Sequence, residues 1–328
     1  MAKENKILSI QYLRGLAALG VVLCHYGSSL PQYPGLSRIF NFGQEGVHVF
    51  FLISGFIIVY SLDKAGYKPK QFFTFLLKRS IRIDPAYFVV ILLTLALFKI
   101  LSFVPDFRGQ RNPFIPGQFI AHIFYFIPFT KYPFYNHVFW TLSVEFQFYL
   151  LIGIFYFLSE SHLYKLIFLI IFSLTCLIHF GNGGYLVLTY APIFALGISL
   201  FNFYKEGKWT NLILPLILLG LIEYKFGLDV VMLLTLTGFV IFTLKITLRL
   251  LEILGDISYS LYLIHPIALI VFLAILKWLH INNAQNQLLC FFAEVFIAVI
   301  FACLIFYLIE KPFSNLSKRI SYDKSNAK

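Results

Sequence analysis

The sequence predicts an all-α polytopic membrane protein of about ten transmembrane helices, with both termini on the cytoplasmic side. Three observations carry this expectation. Of the 328 residues, 59% are hydrophobic and only 12% are charged. The mean hydropathy is +0.82. Apolar runs long enough to cross ~30 Å of hydrocarbon recur from one end of the chain to the other. A soluble domain carries about a quarter charged residues, and one core could not hide this much apolar surface.

In order, the apolar spans fall at 7–27, 46–62, 85–104, 138–158, 164–180, 185–203, 210–224, 227–244, 255–276 and 287–308, of which 46–62 and 210–224 are short. The first follows Lys3 and Lys6, as in a signal peptide, but it lacks a clear small-residue cleavage site and contains Arg14. That predicts a retained anchor. A further apolar piece, 117–129, is bounded by Pro116 and interrupted by Pro128, and is expected to be re-entrant or interfacial. No segment reads as a soluble domain, so residues 1–313 form one transmembrane unit and 314–328 a short basic cytoplasmic tail. No internal repeat of the kind found in repeat-built transporters is visible.

The net charge is +11. In a membrane chain this reflects the positive-inside rule more simply than nucleic-acid binding. With the N-terminus inside, the inner segments collect Lys64, Lys68, Lys70, Lys78, Arg79, Arg82, Lys311, Lys318, Arg319, Lys324 and Lys328, among others. The outer side holds fewer cations: Arg38, Lys99, Arg108, Arg111, Lys131, Lys225 and Lys277. The four cysteines lie inside apolar runs without metal-ligand spacing, and read as buried apolar residues. No metal is expected.

Ionisable residues inside the spans mark the candidate chemistry. In RGLAALGVVLCH, Arg14 and His25 stand eleven residues apart. At about 100° per residue that is some 20° beyond three turns, so both share one face, about 16 Å apart along the axis. Such a face suits a polar cavity, although snorkelling of Arg14 and an interfacial His25 are the bland alternatives. FWTLSVEFQFYL places Trp140, Ser143 and Glu145 in one span, with no counter-ion nearby in sequence. Arg14 or His25 would have to supply it, or Glu145 forms a structural bridge. In KRSIRIDPAY, Arg79 and Arg82 share a face just before Pro85, read as the start of the next span. Paired guanidiniums suit phosphates, and also anchoring to anionic lipid. In FGQEGVHVFFLISGFII, Gly43, Gly46 and Gly55 permit close helix packing, while His48 and Ser54 add polar groups.

Taken in order, these blocks resemble the acyltransferase 3 family of integral membrane acyltransferases, as do LGDISYSLYLIHP (254–266) and the closing YLIEKPF (307–313). The resemblance implies transfer of an acyl group, commonly acetyl from acetyl-CoA, to a hydroxyl of a cell-surface carbohydrate. The acceptor would be O-antigen, exopolysaccharide or a lipid-linked precursor, and the site a bacterial inner membrane. The family's arginine–histidine motif falls on Arg14 and His25, its basic motif on Arg79 and Arg82, and its tryptophan–serine–glutamate block on Trp140, Ser143 and Glu145. Three positions depart from the common pattern: His48 where an acidic residue is frequent, Asp84 before the proline, and Phe146 in place of a second glutamate.

Topology and resemblance together predict catalysis by His25, Glu145 and Arg14, CoA binding by Arg79, Arg82 and Arg14, and substrate binding by Trp140, Ser143 and His48. His25 would act as general base, with Glu145 orienting it, or would carry the acyl group itself. The rival readings are a secondary transporter using Arg14, His25 and Glu145 as a substrate or proton pathway, and a silent assembly component.

Overall fold

The computed structural model describes residues 7–103, 114–179, 181, 183–280 and 286–322. Lys3, Lys6, Arg108, Arg111, Lys324 and Lys328, which enter the charge balance, lie outside them. The described residues are helical with no strand. The helices are α1 (Leu8–Tyr26), α2 (Pro34–Asn41), α3 (Gly46–Lys64), α4 (Phe72–Leu101), α5 (Pro116–Ile123), α6 (Trp140–Phe155) and α7 (His162–Leu174). There follow α8 (Ala191–Glu206), α9 (Ile213–Phe226), α10 (Leu228–Thr243), α11 (Arg249–Asp256), α12 (Ser258–Trp278), α13 (Gln287–Ile305) and α14 (Lys311–Arg319).

Every apolar span coincides with a helix, but their lengths differ from expectation. Among the described residues, 8 helical stretches are long and apolar enough to cross a membrane. The span expected to be short at 46–62 belongs to a helical run, Pro34–Lys64, of 31 residues. The shorter apolar helices are instead His162–Leu177 and Leu228–Thr243. Segment 117–129 is two short helical pieces, α5 and a 3-10 turn at Ile127–Phe129, folded against α4. Its His122 is fully buried between the Tyr87 hydroxyl at 3.0 Å and the Tyr135 backbone N–H at 3.1 Å.

Pro85 does not open a helix. Helix α4 begins at Phe72 and runs straight through it. A proline removes one backbone donor, and the rest of the 30-residue helix carries it across that gap. Arg79 and Arg82 therefore sit on the side of a long helix, not ahead of one.

Helix α1 occupies the centre, packed by α3, α11 and α12. The glycines expected to allow close approach do so. A Cβ on Gly55 would stand 2.2 Å from the Phe194 carbonyl oxygen of α8, and one on Gly43 2.0 Å from that of Gly20. Between α13 and α14 lies a single π-type turn, Phe306–Glu310. The stretch read as a tail begins inside α14, and Lys78 Nζ ties that region down by donating to the Ser317 and Ile320 carbonyls.

Candidate active site

The bundle encloses a cavity of about 120 Å³ whose charged lining is Arg14, Arg79, Arg82, Glu145 and Glu310, with Tyr149 and Ser54 among its polar groups and apolar side chains from α3 around them. Arg14 comes from α1, the two other arginines from α4, Glu145 and Tyr149 from α6, and Glu310 from the π turn. The cavity shares Arg14, Arg79, Arg82 and Glu310 with a wider chamber of about 600 Å³, where Lys64, Lys78, Lys311 and Lys318 also stand. An open cationic mouth thus narrows into an intramembrane chamber.

The carboxylates in this chamber are held by neutral donors. Glu145 Oε1 accepts from Ser54 Oγ at 2.8 Å and from the Tyr149 hydroxyl at 2.5 Å. Glu310 accepts from Ser260 Oγ at 2.6 Å. Among the described residues, none of the three arginines forms an ion pair within 4.0 Å. Arg79 instead lies over the rings of Phe75 and Tyr149, 5.8 and 5.7 Å from their centroids. Three guanidiniums facing two carboxylates leave a site with unmet capacity for an anion. At the mouth, burial raises the Tyr322 phenol above its ordinary pKa, keeping it a neutral hydroxyl beside the lysines.

His25 stands elsewhere. It lies at the far end of α1, is exposed, and lines neither chamber. Its Nδ1 is 2.6 Å from Nε2 of His265 on α12, and the two rings stack at 4.9 Å. Glu145 accordingly does not orient His25; its partners are Ser54 and Tyr149. Between chamber and histidines stand Phe50 and Tyr262, edge to face at 5.7 Å. Tyr262 lies 6.0 Å from the His265 ring, and its hydroxyl donates to the Val138 carbonyl at 3.1 Å.

The residues expected to bind substrate are not brought to the chamber. His48 is paired with Glu45 Oε2 at 2.7 Å and packs on Tyr190 and Phe226. The acidic group missing at position 48 is thus supplied one turn earlier. Ser143 is fully buried, and its hydroxyl has no hydrogen-bond partner among the described residues. Trp140 packs on Phe51 and Tyr190, behind the wall. Cys24 Sγ donates to the Asn41 carbonyl at 3.6 Å, not to its neighbour His25. Among the described residues, no three His, Cys, Asp or Glu side chains cluster as metal ligands.

Sequence reasoning passed over His265 and Glu310. Both lay within quoted blocks, LYLIHP and YLIEKPF, and the signal was an ionisable residue next to a proline or lysine at the edge of an apolar run.

The site is an arginine-lined chamber within a multi-pass helical bundle, with a histidine pair at its far side. Residues 7–308 match the model of the acyltransferase 3 family, described as an acyltransferase domain. The chain belongs to this family and is a multi-pass membrane acyltransferase. No curated protein and no solved structure matches it.

Proposed function

We propose that the protein is an O-acyltransferase of a bacterial cytoplasmic membrane. It moves an acyl group, acetyl foremost, from acyl-CoA to a hydroxyl of an exported polysaccharide or its lipid-linked precursor. One observation carries the reading: the cationic mouth is continuous with the arginine chamber through Arg14, Arg79, Arg82 and Glu310. A donor with phosphates at one end and a thioester at the other has both a place to dock and a direction to enter.

The phosphates are held by Lys64, Lys78, Arg79, Arg82 and Lys318 at the mouth, while Arg14 meets the donor deeper in the bundle. The acceptor comes from the side where His25 is exposed. As the acceptor oxygen attacks the thioester carbonyl, His25 takes the hydroxyl proton. The C–O bond forms, the C–S bond breaks, and the proton passes to the departing CoA thiolate. Arg14 and His25 stand about 16 Å apart along α1, so the acyl end must pass the Phe50–Tyr262 layer to reach the histidine.

The test uses the purified full chain in lipid, with acetyl-CoA and a polysaccharide acceptor. Acetyl transfer that His25→Ala abolishes is expected, together with thermal stabilisation by CoA that Arg79→Gln weakens. Full activity in His25→Ala would overturn the assignment of the base. Absence of CoA binding would overturn the donor and favour transport.

A further inference from the structure

The His25–His265 contact determines which nitrogen of His25 carries its hydrogen. His265 is fully buried, and its Nδ1 lies 2.8 Å from the Tyr262 carbonyl oxygen and 3.3 Å from that of Leu261. A carbonyl oxygen only accepts, so Nδ1 of His265 is the N–H nitrogen. Its contacts among the described residues are His25, Tyr26, Tyr262 and these carbonyls, with no carboxylate. A buried imidazolium without an anionic partner is costly, so the ring is neutral and Nε2 holds a lone pair. At 2.6 Å that lone pair requires the hydrogen to sit on Nδ1 of His25. The Nε2 of His25 is then free of hydrogen, on an exposed ring, and makes no hydrogen bond among the described residues.

The local sequence explains why the Tyr262 carbonyl is available. In a regular helix it would accept the N–H of the residue four positions on. That residue is Pro266, inside α12, which has no N–H. The His265 side chain takes the vacated acceptor, and so fixes its own tautomer. One residue after His25, the Tyr26 hydroxyl donates to the His265 carbonyl at 2.7 Å, clamping α1 to α12 beside the pair.

We propose that His265 is a positioning residue that locks His25 in the tautomer with Nδ1 protonated and Nε2 free, and that Pro266 enables this by leaving the Tyr262 carbonyl unpaired. The proposal rests on the reading of His25 as the base. Only a histidine with a bare Nε2 can receive the acceptor's proton there, and the lock removes the competing tautomer before substrate arrives.

The experiment is ¹⁵N NMR of ¹⁵N-histidine-labelled full chain in lipid, with the His25 signals assigned by their loss in His25→Asn. The expected spectrum shows His25 protonated at Nδ1 and bare at Nε2. In His265→Leu the Nε2–H form grows, and kcat for acyl transfer falls about 10- to 100-fold while KM for acyl-CoA stays within about twofold. His265→Gln, whose amide oxygen can replace the accepting nitrogen, restores the tautomer and part of kcat. Pro266→Ala returns a competing N–H to the Tyr262 carbonyl and moves the populations in the direction of His265→Leu. A wild-type His25 protonated at Nε2 overturns the proposal, whatever the His265 and Pro266 variants do. So does a His265→Leu protein with unchanged tautomer and kcat. The stated tautomer in a protein that transfers no acyl group would sink the transferase reading alone.

Discussion

Arg14, Arg79 and Arg82 converge on one small chamber without an ion pair among the described residues. A charged hydrogen bond to a donor phosphate is worth about 1.5–3 kcal/mol. Arg82→Gln is therefore expected to raise KM for acyl-CoA by about 10- to 100-fold with a smaller change in kcat, measured by steady-state kinetics in lipid. Much at this scale was legible in the sequence. The spacing of Arg14 and His25 placed both on one stripe of α1, and Arg79 with Arg82 on one face of α4. Partnerships were not legible. His25 meets His265 across 240 positions, and Glu145 meets Ser54 across 91. Local periodicity carries no information about which distant side chain arrives, so the expected Glu145–His25 contact had nothing but charge in its favour.

Helices α3 and α8 approach so closely that their backbones nearly touch at Gly55 and Gly197. A Cβ on Gly197 would lie 2.1 Å from the Leu52 carbonyl oxygen. Backbone cannot yield as a flexible side chain does, so Gly55→Ala should destabilise the protein by about 1–3 kcal/mol. The check is a lowered Tm in detergent, with residual acyl transfer per folded molecule unchanged. Element existence was legible because each span is a long apolar run. Element ends were not. Pro85 reads as the start of a span, but α4 begins at Phe72 and continues through it. The long run Pro34–Lys64 escaped notice for a related reason: α2 is polar enough to read as a loop although it continues into α3.

Across the whole molecule, cations gather at one end. Lys64, Lys78, Arg79, Arg82, Lys311 and Lys318 all border the wider chamber, and all belong to the set that the charge bias places inside. Two outcomes are expected. Raising salt from about 0.01 M to about 0.5 M should increase KM for acyl-CoA severalfold, because the mouth is open and screening shortens its reach. In a protein carrying Cys24→Ser, cysteines introduced at Ser28 and Asn315 should react with an impermeant maleimide from opposite faces of sealed vesicles. Labelling of both from one face would overturn the orientation.

The Phe50–Tyr262 layer has a consequence for the cell that concerns electricity more than chemistry. A charge-lined chamber opens towards one end of the bundle, and His25 is exposed at the other. Phe50 and Tyr262 stand between them, so the barrier there is thinner than the ~30 Å of hydrocarbon around it and the membrane field is concentrated on these rings. Phe50→Ala combined with Tyr262→Ala should turn the protein into a proton leak, read as faster collapse of a pH gradient in liposomes. The two rings on the proposed acyl path are thus also part of the insulation that keeps the bilayer a capacitor.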